Sequence, residues 1–99
     1  AGGVQSLGTI VIDDGAVAAL NNGKSLLPAG VVDVNGTFER GDAVDICTAD
    51  GRLIGRGLSA YPADDIRRIK GRQSDEIEDI LGFRGRSEVI HRDDLAIGV

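Results

Sequence analysis

Apolar positions along the chain change their spacing several times, and each change marks an element. Residues 8–13, "GTIVID", are dominated by a β-branched run that predicts a strand. It leads into a short helix starting near Asp14 or Gly15, where Val17 and Leu20 give a one-sided apolar stripe and Asp13 or Asp14 can accept the free N–H groups of the first turn. That helix is expected to end at Asn21-Asn22-Gly23. Residues 30–38, "GVVDVNGTF", return as a strand whose valines suit a pleated sheet. Between them "KSLLP" predicts a buried connection. Leu26 and Leu27 would plug the core, Lys24 and Ser25 would sit on a turn, and Pro28 would stop any continuation.

The clearest turn is Asp50-Gly51. "DAVDICTA" before it and "RLIGRGLSAY" after it are both strand-like, which predicts a hairpin with a two-residue turn. In its first arm Val44, Ile46 and Thr48 alternate with Ala43, Asp45 and Cys47, so one face is core and the other mixed. Gly55 and Gly57 share a face of the second arm, where missing side chains allow another element to approach. Two helices follow. "PADDIRRIK" places Pro62 in the first turn, acids at the positive end of the dipole and bases near Gly71, with Ile66 and Ile69 facing inward. "SDEIEDILG" repeats the design, with Ser74 as N-cap, Ile77, Ile80 and Leu81 packed inward and Gly82 as terminator. In "SEVIHRDDLAI", Val89 and the last apolar residues are expected to close the sheet. No internal repeat, linker or low-complexity segment interrupts this order.

Ninety-nine residues suit one compact domain and exclude a two-domain enzyme. An apolar share of 41%, interrupted by charge throughout, excludes a disordered chain and leaves no segment fit to span a bilayer. No secretory leader is visible, and the lone Cys47 rules out an internal disulfide and suits a reducing compartment. The net charge is −5, and residues 1–50 hold two basic groups against seven acidic ones, while residues 51–99 hold nine of each. Such a domain repels a phosphate backbone, so any RNA role needs a local patch. The one dense basic run, "RRIKGR" at 67–72, reads as a solvated helix face and its end.

Two phrases imitate catalytic motifs. Gly23-Lys24-Ser25 ends like a P-loop, but Ala18 stands where the first glycine belongs, a helix precedes it and Leu26-Leu27-Pro28 follows where a helix should start. "HRDDL" at 91–95 imitates a kinase catalytic loop, yet Gly98 occupies the place of its asparagine. His91 is the single histidine and, with one cysteine, makes no zinc set; a hydrogen-bonded structural role is expected for it. The pairs Asp13-Asp14, Asp64-Asp65 and Asp93-Asp94 diverge on strand or helix and do not by themselves build an acid–base pair. Beside Asp13-Asp14, Gly15-Ala16 would expose backbone N–H groups that a ligand phosphate could use.

Together, "VIDDGAVAALNNGKSLLPAGVVDVNGTFERGDAVDI", "GRGLSAYPADDIRRIKGRQSDEIEDILGF" and "EVIHRDDL" closely resemble the carboxy-terminal PUA domain of the bacterial glutamate 5-kinases, from about Gly8 to Leu95. The resemblance implies a mainly β fold with short helices (α+β), a PUA-type mixed β pseudo-barrel, in which "GKSLLP" is a signature of the fold and not an ATP site. It implies a single PUA domain over residues 1–99 with no catalytic, cofactor-binding or metal-binding residues of its own. An amino-acid kinase domain is expected upstream, using ATP and Mg2+ to phosphorylate the glutamate side chain in the first step of proline synthesis, in the cytoplasm and away from membranes. The family's domain usually opens with a Lys-x-Trp-Ile-like strand, whereas this chain has no Trp, and Pro62 stands where serine is frequent. The partner implied is the kinase domain itself, with this domain as a regulatory accessory. RNA is the alternative partner, for which Gly15, Lys24, Gly30 and Arg72 are the positions carried over.

Overall fold

A computed structural model describes residues 6–98. Five strands form one mixed sheet in the order β2-β1-β3-β4-β5, namely β1 (Gly8–Ile12), β2 (Val31–Gly36), β3 (Ala43–Thr48), β4 (Leu53–Leu58) and β5 (Leu95–Ile97). β1 runs parallel to β3 and antiparallel to β2, and the remaining neighbours are antiparallel. Helices α1 (Asp14–Asn21), α2 (Ala63–Ile69) and α3 (Ile77–Leu81) lie between the strands. This is the mainly β, α+β arrangement expected from the sequence.

The alternation in β3 places Val44, Ile46 and Thr48 inward against Ile10 and Ile12 of β1. Ile66 and Ile69 of α2, both fully buried, and Ile77 and Leu81 of α3 complete the core with Phe38, Val89 and Ile90. Burying an aliphatic side chain stabilises by about 1.5–3 kcal/mol, so the two isoleucines anchor α2 despite its short length. The glycine pair in β4 does what its spacing predicts. A Cβ on Gly57 would lie 2.8 Å from Ile90 Cγ2, and one on Gly55 would meet the Ala96 carbonyl, so β5 and the segment before it can cross only over bare backbone.

Several local expectations are corrected. The hairpin has a wider turn than two residues: Gly51 N–H donates to Thr48 O at 3.0 Å and only Gly51 takes positive φ, at 91°, because no non-glycine residue enters that region. Leu27 does not plug the core. It is 46% exposed, because Leu26 already uses its backbone on Val89 and Ile90 and turns its side chain inward. Val32 likewise faces out, since the β-bulge opposite Ile12 disrupts strict alternation in β2. Pro62 sits at the N-cap, one residue before α2, and Gln73, not Ser74, occupies the cap position before the 3-10 turn Ser74–Glu76, because Ser74 Oγ donates to Ser87 O at 2.9 Å. Val89 does not join the sheet; it and Ile90 bridge to Leu26, and Leu95–Ile97 form the closing strand. The family's Lys-x-Trp-Ile-like strand has no counterpart to compare, since residues 1–5 lie outside the described residues.

Candidate functional site

The first helix and the turn after it build a groove. Asp13 ends β1 by donating its N–H to Gly30 O at 3.0 Å, and its side chain caps α1 by accepting from Ala16 N–H at 2.8 Å. That hydrogen bond occupies one oxygen of the carboxylate the sequence offers at Asp13-Asp14. At the other end of α1, Gly23 takes φ 76° and Lys24 N–H returns to Ala19 O at 3.0 Å, which sets Lys24 and Ser25 on the turn predicted for them. Ser25 Oγ accepts Arg92 N–H at 2.8 Å, joining this turn to the "HRDDL" segment. Between these parts lies a groove of about 390 Å³ with a mostly apolar floor of Ala16, Ala19, Leu27 and Ala29, and Asp13, Lys24, Ser25 and Glu88 around it.

Three of the four carried-over positions, Gly15, Lys24 and Gly30, line this groove, and Arg72 does not. The two glycines differ in cause. A Cβ on Gly30 would lie 2.7 Å from that of Ala16, so packing of turn on helix demands glycine there. A Cβ on Gly15 would meet only Asp13 Oδ1 at 3.4 Å, ordinary contact, so packing does not demand it.

The basic run is consumed by the fold. Arg67 holds Asp64 at 2.8 Å and Gly36 O at 2.6 Å, Arg68 donates to Ile80 O, Lys70 approaches Asp33 at 3.5 Å and Arg72 approaches Glu76 at 3.5 Å. The Val34 N–H and then Lys70 hold the Asp33 carboxyl below its ordinary value of 3.8. His91 has the structural role expected of it: its Nδ1 accepts Asp93 N–H at 3.1 Å and caps the 3-10 turn Arg92–Asp94. Burial, and then the charge of Asp45, push the Cys47 thiol up, the reverse of what activates a nucleophile. Among the described residues no three His, Cys, Asp or Glu side chains gather as a metal site would require.

One set of residues belongs to none of these motifs. Arg40, Arg84 and Arg86 line a second cavity beside Tyr61, and the only trace in the sequence is the short "FRGR" phrase. Tyr61 is buried; its hydroxyl donates to Arg86 O, and burial above all, then the charges of Asp65 and Glu88, raise its pKa above the ordinary 10.

The PUA domain family model matches residues 8–81. The chain belongs to the PUA domain family. Curated relatives include the glutamate 5-kinase of Paramagnetospirillum magneticum, 58% identical over 97% of this chain, and that of a Bradyrhizobium species, 60% identical over 99%. The chain spans 26% of the length of each. Among solved structures, a PUA domain from Aeropyrum pernix in complex with tartrate superposes with a TM-score of 0.62 at 27% identity, covering 87% of this chain and 43% of that one. The archaeal box H/ACA sRNP Nop10-Cbf5 complex gives 0.60 at 27% identity, covering 93% and 23%. The chain thus matches the PUA portion of far longer kinases, and this PUA fold recurs inside an RNA-protein particle.

Proposed function

We propose that this PUA domain is the non-catalytic regulatory module of a glutamate 5-kinase. The parent chain would transfer phosphate from ATP, with Mg2+, to the side-chain carboxylate of glutamate, the first step of proline biosynthesis, in the cytoplasm. The observation that carries this reading is identity of 58–60% across nearly the whole chain to kinases of which it spans only 26%. Catalysis would then reside in the remaining length, and this domain would act by contact with its own kinase domain. Among the described residues no helix is long and apolar enough to cross a membrane. The test compares the full-length enzyme with one lacking residues 8–97 for activity, magnesium dependence and proline inhibition. Altered feedback or metal dependence is expected; indistinguishable behaviour removes the proposal.

RNA binding at the groove is the second reading, supported by the H/ACA particle among the structural neighbours and by Gly15, Lys24 and Gly30 on one surface. Charge counts against it, since Lys24 is the groove's one cation and shares it with Asp13 and Glu88. A salt-dependent affinity for a folded RNA, weakened by Lys24→Glu, would favour this reading, and no binding at low salt would end it.

A further inference from the structure

The arginine-lined cavity stands apart from the α1 groove and shares no lining residue with it. Its volume is about 490 Å³. Arg40 reaches it from the loop between β2 and β3, and Arg84 and Arg86 from the loop after α3, so two segments distant in sequence bring three arginines to one lining. All three residues are exposed, and among the described residues none has an ion-pair partner, whereas Arg56, Arg67, Lys70 and Arg72 all do. The lining holds a single carboxylate, Asp65, so positive charge is in excess here although the chain as a whole is acidic.

The loops are held in place by groups other than the arginine side chains. Tyr61 hydroxyl fixes Arg86 through its carbonyl, and Gly85 passes so close to the Tyr61 ring that a Cβ would lie 3.0 Å from Cε1. Gly41 N–H donates to Ser59 O at 2.7 Å directly after Arg40. The guanidinium groups therefore remain free to bind. Phe83 lies in the same lining and is 48% exposed, a flat apolar face beside three planar cations. Guanidinium forks match phosphate oxygens, and an exposed aromatic ring offers a stacking surface to a heterocyclic base.

We propose that this cavity binds a nucleotide, its phosphate held by Arg40, Arg84 and Arg86 and its base stacked on Phe83. The nucleotide is either free or carried in a single RNA strand, and the chemistry is the same.

The test titrates the isotope-labelled chain with adenosine monophosphate, a short single-stranded oligoadenylate and inorganic phosphate, following backbone amide shifts and affinity at low and moderate salt. Shifts are expected at Arg40 and Phe83 to Arg86. Arg84→Ala with Arg86→Ala should weaken the nucleotide about tenfold or more, as loss of charge-assisted bonds does. Phe83→Ala should weaken the nucleotide and leave inorganic phosphate unchanged. Both variants alter exposed side chains, so retained amide dispersion will show that they fold. Tighter binding of the oligomer would identify a strand, and equal binding a free nucleotide. Absence of binding, shifts confined to Gly15, Lys24 and Gly30, or nucleotide affinity indifferent to all three substitutions would overturn the proposal.

Discussion

The two basic regions of this domain differ in sequence and behave oppositely in space. Between residues 67 and 72, four cations crowd into six positions, and all four are taken up by carboxylates or carbonyls of the same chain. Arg40, Arg84 and Arg86 are scattered over nearly half the chain, line one cavity, and have no ion-pair partner among the described residues. Local density of charge thus reports the needs of a helix terminus, which attracts acids at one end and bases at the other. Available charge depends instead on what the fold places nearby.

The harshest way to break the contrast is to detach α2. Ile69→Ala removes a fully buried side chain and should cost roughly 2–5 kcal/mol, read from urea denaturation. It should also free the basic run, so that nonspecific anion binding rises as stability falls. Next comes Gly85→Val, which forces side-chain atoms against Tyr61 and should cost about 1–3 kcal/mol by thermal melting. Its amide shift changes should centre on the second cavity and leave the run intact.

A pair of alanine substitutions sharpens the comparison directly. Arg67→Ala gives up the Gly36 carbonyl and the Asp64 ion pair and should cost about 0.5–1 kcal/mol, whereas Arg84→Ala should leave the denaturation midpoint unchanged and lower only anion affinity. Smallest of all is the effect of acid at Asp33. Because its folded pKa lies below the ordinary 3.8, its stabilising contribution is complete above that value and disappears as pH falls through the lowered one. Lys70→Gln should move the Asp33 carboxyl back toward 3.8 in an NMR titration, and no movement would mean that the lysine is solvated.

Elements set by local chemistry were readable from the residues. Asp13 as a cap, Gly23 and Gly82 as stops and the β3 alternation all follow from interactions within a few positions. Leu27, Ser74 and Val89 depart from their local signals: Leu26, tied to Val89 and Ile90, takes the inward place beside Leu27, the distant Ser87 carbonyl holds the Ser74 hydroxyl, and the backbone of Val89 pairs with Leu26. The α1 groove was partly legible through the family resemblance, which carried over Gly15, Lys24 and Gly30, all of which line it, and Arg72, which lies elsewhere and is spent on Glu76. The second cavity was invisible for the same physical reason: nothing near Arg40 in sequence says that residues 84 and 86 will face it.

The main-chain link between Leu26 and the Val89–Ile90 pair also dictates an order of events during synthesis. Helix α1 can coil as soon as it leaves the ribosome, but the backbone of Leu26 must wait for some sixty further residues, and β4 for β5, before either finds its partner. Contacts so distant in sequence bear a loop-closure cost before any reward. Residues 89–97, and not the winding of any helix, therefore supply the last partners this domain needs to close.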